Sequence, residues 1–297
     1  MTIVGTGALA TLVAARLGAS GPVTVLGSWG PALEALSAFG AVVDSDGVSC
    51  VSRVTATSDP AAAAGTRVAF VLVKSHRTAE AARLVRRCLA PEGVAVTLQN
   101  GLGNVETLSD AVGPARVVAG SAEVGATLLG PGRARHAGGN RIRLEEHSRA
   151  GEVARLLSAG GFEVEVGGTA AEILWEKLAA TAPLLPLTAL LGVANGEVLD
   201  RPSAALLAMA AEELYAVAAA AGIPLPAGRP EAVARRVAES TASNLSSMLT
   251  DVRRGVPTEV DAINGAVVRT ARALGLAVPV NETLWRAVHA LGEGRSA

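Results

Sequence analysis

The strongest indication of the fold of this 297-residue chain is the sequence Thr2-Ile3-Val4-Gly5-Thr6-Gly7-Ala8-Leu9-Ala10. Its β-branched start predicts a strand, and the glycines that follow predict a tight turn into a helix. Because glycine has no Cβ, the backbone of such a turn can approach a pyrophosphate held at the helix N-terminus. An ordinary glycine-rich turn would share the pattern, but the position between a strand and a helix favours a dinucleotide site. The predicted members of this site are Gly5, Thr6, Gly7, Ala8, Leu9 and Ala10.

Short β-rich runs alternate with helical patterns through the first half of the chain, as they do in a parallel sheet with crossover helices. After residue 168 the strand patterns end and helical patterns take over, including 204–220 and 258–274. We therefore predict an α/β Rossmann-type domain over residues 1–168, followed by an all-α domain over residues 169–297. The predicted strands are 2–4, 23–26, 68–73, 94–98, 117–118, 142–144 and 163–166, with a helix over 149–159 before the last of them.

The composition argues against several classes of partner. A net charge of −1 and an aromatic content of 2% offer nothing to attract or stack a nucleic acid. The apolar run 178–193 contains two prolines and is shorter than the ~20 residues of a membrane-spanning helix, so we predict a buried, kinked helix and no membrane partner.

Cys50 and Cys88 match no metal-ligand spacing, and no secretory signal precedes Met1. We expect reduced thiols, no metal, a cytoplasmic location and a small-metabolite ligand.

The end of the second predicted strand indicates which dinucleotide is bound. An acid that binds the ribose hydroxyls of NAD is usual at this point. The sequence instead reads Leu26-Gly27-Ser28-Trp29, and the first acid is Glu34. NADP is therefore favoured. No arginine follows the strand directly, which leaves the 2′-phosphate to Ser28, nearby backbone amides or a residue from another loop.

Three later segments, taken together, resemble the ketopantoate reductases. The first is Leu98-Gln99-Asn100-Gly101-Leu102-Gly103, which follows a predicted strand. Trp175-Glu176-Lys177-Leu178, with Pro186-Leu187-Thr188-Ala189 downstream, is similar to the catalytic helix of that family. Thr258-Glu259-Val260-Asp261-Ala262-Ile263-Asn264-Gly265 is similar to its substrate-binding helix. With the glycine loop, the resemblance covers essentially the whole chain, with the motifs in the family's order.

This resemblance implies reduction of 2-dehydropantoate to D-pantoate, a step of pantothenate biosynthesis, with hydride transfer from NADPH to C2. Lys177 would protonate the developing alkoxide, which a lysine ammonium can also stabilise. Asn100 would support catalysis and contact the cofactor, since its amide can hydrogen-bond the substrate or the nicotinamide. Glu259 would accept a hydrogen bond from a substrate hydroxyl. Spacing alone allows plainer interpretations: a solvated lysine, a turn asparagine, and an acid in the first turn of a helix capped by Thr258 and Asp261.

The resemblance also implies further contacts with substrate and cofactor. Asn195, Asn244 and Ser247 fall at positions where the family binds substrate, although turn and capping patterns would account for all three. Lys74 resembles a cofactor-contacting lysine and Gly125 a cofactor-lining residue. A surface lysine is the plainer interpretation of the first.

Two departures from the family pattern leave the substrate open. The family usually has asparagines one and two helical steps after the lysine, where this chain has Thr181 and Leu185. On one continuous helix both would face the substrate with Lys177, which makes Thr181 a candidate substrate contact.

Two alternative functions therefore remain open from the sequence. One is the reduction of another branched 2-oxo acid by a D-mandelate-type 2-hydroxy acid dehydrogenase. The other is a dinucleotide-binding regulator without catalysis, against which the intact Lys177, Asn100 and Glu259 argue. A β-hydroxyacid dehydrogenase would share the layout but fits the last two motifs less well. The sequence leaves open whether the chain forms a homodimer.

Overall fold

The computed structural model describes residues 1–45 and 47–293. These residues form two compact units. The first contains Met1–Gln99 and Asn104–Ile173, and the second contains Asn100–Gly103 together with the chain from Leu174 onward. The domain boundary predicted after residue 168 lies shortly before the boundary between the two units, which falls between Ile173 and Leu174. No sequence pattern assigns Asn100–Gly103 to the second unit.

The first unit alternates strands and helices, so the expected α/β pattern is present. Its elements, in chain order, are β1 (Thr2–Val4), α1 (Ala8–Gly18), β2 (Thr24–Leu26), α2 (Gly30–Phe39), β3 (Ala41–Ser45), β4 (Val48–Ser52), β5 (Thr55–Thr57), β6 (Thr66–Val71), α3 (Thr78–Cys88), β7 (Leu89–Thr97), α4 (Asn104–Val112), β8 (Val117–Glu123), β9 (Ala126–Gly130), β10 (Arg133–His136), β11 (Arg141–Leu144), α5 (Ala150–Ala159) and β12 (Glu163–Val166).

Two sheets are built from these strands. The larger has the order β12-β11-β8-β7-β6-β1-β2-β5 and is parallel except for the antiparallel pair β8 and β11. All seven predicted strands lie in this sheet. The smaller sheet, β4-β3-β10-β9, was not predicted. Its strands bury few side chains, as the exposure of Val48 (63%) and Val51 (58%) illustrates, and so they lack the apolar pattern that marks a strand.

The core of the first unit lies on both faces of the larger sheet. Ile3 packs in one buried cluster with Leu12 of α1 and Leu157 of α5, whereas its neighbour Val4 packs in another with Val85 of α3. Consecutive side chains of a strand point to opposite faces, so helices covering both faces bury every position of the strand. This explains why all three residues of β1 are buried and why Ile3 and Val4, which pack on opposite faces, are both apolar.

Adjacent parallel strands bring their carboxyl ends to one edge of the sheet. β2, β1, β6 and β7 are consecutive neighbours in the larger sheet. The segments after them, namely 27–29, 5–7, 72–77 and 98–99, therefore follow one another along that edge. This is where doubly wound folds bind dinucleotides.

The second unit contains helices and, among its described residues, no strand. The predicted order of a Rossmann-type α/β domain followed by an all-α domain is thus confirmed. The helices after β12 are α6 (Ala170–Thr181), α7 (Leu185–Leu191), α8 (Ser203–Ala220), α9 (Ala232–Ser240), α10 (Ser247–Arg253), α11 (Asn264–Ala273) and α12 (Pro279–Glu293).

Two predicted helices are corrected. The run 178–193 is not one kinked helix, because a turn over 182–184 separates α6 from α7. The helix predicted from Thr258 begins at Asn264, after a series of turns. Ile263, at φ −96° and ψ −92°, departs from helical geometry, so the regular helix begins only after it.

The stretches Ala170–Leu191 and Ser203–Ala220 are long and apolar enough to cross a membrane by length and composition. Of the most apolar window in the first stretch, 83% is buried inside the protein. Its hydropathy is therefore that of a core helix, as the buried-helix prediction requires.

The break between α6 and α7 is stabilised by a buried amide. Pro186 has no N–H, so the carbonyl of Ala182, four residues earlier, cannot receive a helical hydrogen bond from it. Asn264 Nδ2 donates to that carbonyl instead, at 2.9 Å, and also to Asn281 Oδ1 at 3.1 Å. Asn281 in turn donates to Glu213 Oε2 at 2.8 Å. A chain of polar side chains thus joins α6, α8, α11 and α12.

Replacing Asn264 with alanine should lower the free energy of unfolding of the second unit by about 2–4 kcal/mol. The replacement leaves the Ala182 carbonyl and Asn281 Oδ1 buried without this donor. Urea unfolding followed by the fluorescence of Trp175 and Trp285 measures the loss.

The matched control is Thr283→Ala, which removes an exposed hydrogen bond to the Pro279 carbonyl. It should change the free energy of unfolding by less than about 0.5 kcal/mol. An Asn264→Ala protein as stable as this control would show that the buried amide is dispensable.

Candidate active site

The glycine loop between β1 and α1 has the geometry of a phosphate cradle. Gly5 has a φ of +131°, and a Cβ there would lie 3.0 Å from the Leu72 carbonyl oxygen, so the fold itself requires glycine. A Cβ on Gly7 would meet no atom within 4 Å. Gly7 caps α1 without a side-chain hydrogen bond, and the first turn contains no acid. The open space and the unsatisfied N–H groups both fit a bound pyrophosphate.

Two other predicted cofactor residues follow the two strands that flank β1 in the same sheet. Ser28 follows β2, and its Oγ accepts a hydrogen bond from Arg77 Nη2 at 3.1 Å. Lys74 is half-buried and follows β6, directly before the 3₁₀ turn Ser75–Arg77. No sequence motif indicates Arg77, because only the fold brings it to a residue 49 positions earlier.

Gly125 lies between β8 and β9, where close packing accounts for its lack of a side chain. Its N–H donates to the Gly138 carbonyl at 2.7 Å, and its carbonyl accepts from the Ala137 N–H at 2.8 Å. A Cβ on Gly125 would lie 3.1 Å from the Ala137 backbone. Its cofactor-lining role remains a prediction.

The loop Asn100–Gly103 packs within the second unit. Gly101 has a φ of +84°, and a Cβ there would lie 2.4 Å from the Ala262 carbonyl oxygen, which excludes any other residue. That carbonyl accepts the Leu102 N–H at 2.8 Å. As a result, Asn100 Nδ2 lies 3.4 Å from Glu259 Oε2, a long hydrogen bond. The structure therefore brings together two predicted catalytic residues that are 159 positions apart in the sequence.

Glu259 is buried, with 7% of its surface exposed. The interpretation of Glu259 as an acid in the first turn of a capped helix is wrong, because α11 begins five residues later. Its backbone carbonyl accepts the N–H groups of Ala262 and Ile263, which form the turns before that helix. The position of this buried carboxylate is therefore not explained by a helix dipole, and its substrate role remains a prediction.

Asp261 does not act as a capping residue either. Its Oδ1 accepts Trp285 Nε1 at 2.8 Å and lies 2.7 Å from His289 Nε2. Burial raises the pKa of the Asp261 carboxyl, but hydrogen bonds from His289 and Trp285, with the charges of His289 and Arg269, outweigh it and lower the pKa overall. Asp261 is therefore ionised at neutral pH and ties the turn before α11 to α12.

Lys177 lies on α6 and is half-buried between the buried Trp175 and Leu178. Thr181 is also buried, and its hydroxyl donates to the Lys177 carbonyl at 2.9 Å. Leu185 begins α7 and belongs to the hydrophobic core. Thr181 lies on α6 one helical turn after Lys177, as predicted, whereas Leu185 does not share that helix, because α6 ends at Thr181. A substrate contact of Thr181 remains a prediction, as does the effect of the departure at Leu185 on the choice of substrate.

Two of the predicted substrate residues of the second unit come together. The Asn195 N–H donates to the Asn244 carbonyl at 3.0 Å, and Asn195 Nδ2 donates to Thr241 Oγ1 at 2.8 Å. Asn195 Oδ1 is buried and accepts no hydrogen bond from the described residues. Such an acceptor is available for a ligand hydroxyl.

The helix α10 begins after a pair of serines with different environments. Ser246 is the buried one: its Oγ accepts the Leu249 N–H at 3.0 Å and lies 2.6 Å from Thr188 Oγ1. Ser247, the predicted substrate residue, is exposed at the first position of the helix. The capping pattern is thus satisfied by Ser246, so it does not explain Ser247.

The composition of the chain supports functional roles for its two lysines. Of the 26 basic residues, 24 are arginine, and the two lysines are Lys74 and Lys177. An arginine does not give up its proton in proteins, whereas a lysine can. A chain that uses arginine almost everywhere has lysine at the two positions where the motifs require it.

Comparison with known proteins gives matches over nearly the whole chain. Residues 1–149 match the family model described as ketopantoate reductase PanE/ApbA, and residues 170–292 match the model of its C-terminal part. The 2-dehydropantoate 2-reductase of Halobacterium salinarum is 38% identical over 96% of each chain. That of Archaeoglobus fulgidus is 34% identical over 98% of this chain and 97% of its own.

Solved structures agree in fold. A PanE/ApbA family ketopantoate reductase from Ralstonia eutropha matches over the full length of both chains, with a TM-score of 0.92 and 29% identity. A D-mandelate dehydrogenase, in a ternary structure with NADH and anilino(oxo)acetate, has a TM-score of 0.93 but only 20% identity. The second likeness is one of fold alone.

Gly7→Ala should raise the Kd for NADPH by about 10-fold or more, because the added methyl group occupies space that a pyrophosphate needs. Gly151→Ala is the matched control in a helix of the same unit. Neither replacement should lower Tm, since an added Cβ meets no atom within 4 Å at either position. Fluorescence titration and thermal unfolding measure both effects. Unchanged NADPH binding by Gly7→Ala would contradict the assignment of the loop.

Proposed function

Since the chain belongs to the ketopantoate reductase family, we propose that it reduces 2-dehydropantoate to D-pantoate with NADPH. The observation that carries the proposal is the pairing of Asn100 with Glu259, at 3.4 Å, in the unit whose helix α6 bears Lys177. A buried carboxylate held by an amide suits recognition of a substrate hydroxyl, which 2-dehydropantoate has at C4. The family relationship supplies the substrate, and the local chemistry of these residues is compatible with it.

The first unit binds the dinucleotide through the loop Gly5–Ala10, with Ser28, Lys74 and Gly125 as further contacts. The open space at Gly7 and the N-terminus of α1 support this assignment. When bound, NADPH supplies a hydride to C2 of the oxo acid.

Lys177 is the proton donor. Its ammonium donates a hydrogen bond to the ketone oxygen, which raises the positive character of C2 and stabilises the negative charge that grows on oxygen. As the C2–H bond forms, the oxygen takes a proton from Nζ, and the product leaves as an alcohol with lysine neutral until it regains a proton from water. A half-buried position on a helix restricts the side chain to few orientations, which favours such a transfer.

Glu259 and Asn100 orient the substrate. A carboxylate accepts hydrogen bonds but donates none when ionised, and it repels the substrate's own carboxylate. Glu259 therefore selects the hydroxyl end of the molecule. The Asn100 amide, which donates to Glu259, holds that carboxylate in place and contributes no charge of its own.

The remaining polar residues bind the other end of the substrate. The Asn244 amide and the Ser247 hydroxyl are donors suited to a carboxylate. Asn195 Oδ1 adds a buried hydrogen-bond acceptor, and Thr181, at the end of α6, is the fourth of these proposed substrate contacts. We place this reaction in the cytoplasm, where the unpaired thiols Cys50 and Cys88 remain reduced.

Lys177→Ala should lower kcat by about 10²–10⁴-fold with little change in NADPH affinity, because it removes a positioned acid. Lys177→Arg retains the positive charge but donates no proton, and it should lose nearly as much. Stopped-flow oxidation of NADPH gives kcat, and titration gives Kd. An arginine variant with near wild-type turnover would mean that charge alone is needed, and an active alanine variant would exclude Lys177 altogether.

Glu259→Gln should reduce the preference for 2-dehydropantoate over 3,3-dimethyl-2-oxobutanoate, which lacks the hydroxyl. Loss of a charge-assisted hydrogen bond should lower the ratio of the two kcat/KM values by about 10- to 100-fold. Glu212→Gln, at an exposed position of α8, is the control for lost charge. An equal loss of kcat/KM on both substrates would show that Glu259 does not bind the substrate hydroxyl.

A further inference from the structure

We propose that Arg77, together with Ser28, forms the binding site for the 2′-phosphate of NADPH and thereby sets the cofactor preference of this chain. This inference rests on the proposed dinucleotide-dependent function. The 3₁₀ turn Ser75–Arg77, which follows β6, would supply the cation that binds the phosphate, because no arginine directly follows β2.

The position of Ser28 identifies where the ribose lies. β2 is the neighbour of β1, and a dinucleotide whose pyrophosphate lies at the loop after β1 places its adenosine ribose at the end of β2. An acid at that point would hold the ribose hydroxyls of NAD. This chain has Ser28 there instead, and Arg77 Nη2 donates to its Oγ at 3.1 Å. A guanidinium therefore stands where a carboxylate would favour NAD.

The guanidinium is also held in position from its other side. Arg77 Nε and Nη2 both donate to Glu80 Oε2, one helical turn further along, with Nε at 3.1 Å. These contacts leave the two Nη1 donors for a further acceptor, and the side chain is 48% exposed. An ion pair this exposed is weakened by water, so Glu80 orients Arg77 without cancelling its attraction for a phosphate.

The charges around this point favour a phosphate over a hydroxyl. The helix α2, which begins two residues after Ser28, has no acid in its first turn. A phosphate oxygen accepts charge-assisted hydrogen bonds from a planar guanidinium, whereas a neutral ribose hydroxyl gains much less. Ser28 can donate its hydroxyl hydrogen to the same phosphate while accepting from Arg77.

The alternative cation in the neighbourhood is Lys74, three residues before Arg77. Lys74 is half-buried, whereas Arg77 is exposed and donates directly to Ser28, the residue at the ribose position. A test of the inference must therefore distinguish Arg77 from Lys74.

The test compares binding of 2′,5′-ADP and 5′-AMP by isothermal titration calorimetry at fixed ionic strength. These two nucleotides differ only in the 2′-phosphate, and the measurement requires no turnover. The proteins are the wild type, Arg77→Gln, Lys74→Met and the control Arg86→Gln, which removes the same charge from an exposed position of α3. Circular dichroism confirms that each variant is folded.

We expect the wild type and Arg86→Gln to prefer 2′,5′-ADP, and Arg77→Gln to lose about 10- to 100-fold in affinity for 2′,5′-ADP, with less than about a 2-fold change for 5′-AMP. Retention of the preference in Arg77→Gln, or its loss only in Lys74→Met, would overturn the inference and leave the proposed function intact. Equal binding of both nucleotides by the wild type would overturn the inference and the preference for NADP. Absence of binding by either nucleotide would overturn the dinucleotide-dependent function as well.

Discussion

The close approach of the Gly101 backbone to the Ala262 carbonyl is the constraint on which the candidate active site depends. The loop must place a residue at φ +84° with no room for a Cβ, and a hydrogen bond from the Leu102 N–H to the same carbonyl holds the two segments in contact. Asn100 and Glu259 lie one and three residues away from this contact. Their pairing at 3.4 Å is therefore a result of backbone packing, not of the attraction between two side chains.

A second constraint acts on the helix that carries Lys177. Pro186 ends the helical hydrogen bonding beyond Thr181, and the carbonyl it leaves unsatisfied is bound by Asn264 at the first position of α11. The turn that contains Glu259 leads directly into α11. The segments bearing the acid and the lysine are thus linked through Asn264, and the buried amides of Asn264 and Asn281 provide that link without any charged side chain other than Glu213.

Much of the fold could be predicted because it depends on local sequence. The apolar runs of the larger sheet, the glycine loop after β1 and the helical second half are each visible within a few residues. The smaller sheet could not be predicted, since its strands are largely exposed, and the true start of α11 depends on backbone angles at Ile263. Sequence motifs also indicated Asn100 and Glu259 separately, but their contact and that of Arg77 with Ser28 are products of tertiary structure.

The interpretation of Thr181 and Leu185 shows the limit of helical periodicity. Spacing places both on the face of Lys177 only if one helix continues through Pro186, and the structure ends that helix at Thr181. Leu185 instead packs in the core of the second unit, so helical spacing gives no reason to place it beside Lys177. Conclusions about specificity drawn from a helix face require the helix to be continuous.

If the proposed reaction is correct, this chain transfers a hydride from NADPH to C2 of 2-dehydropantoate. The most direct test is a reaction with NADPH that carries deuterium in the transferable position, followed by NMR and mass spectrometry of the product. We expect D-pantoate with one deuterium, bonded to C2. Pantoate without deuterium at C2, or no pantoate formed while another 2-oxo acid is reduced, would exclude the proposed reaction.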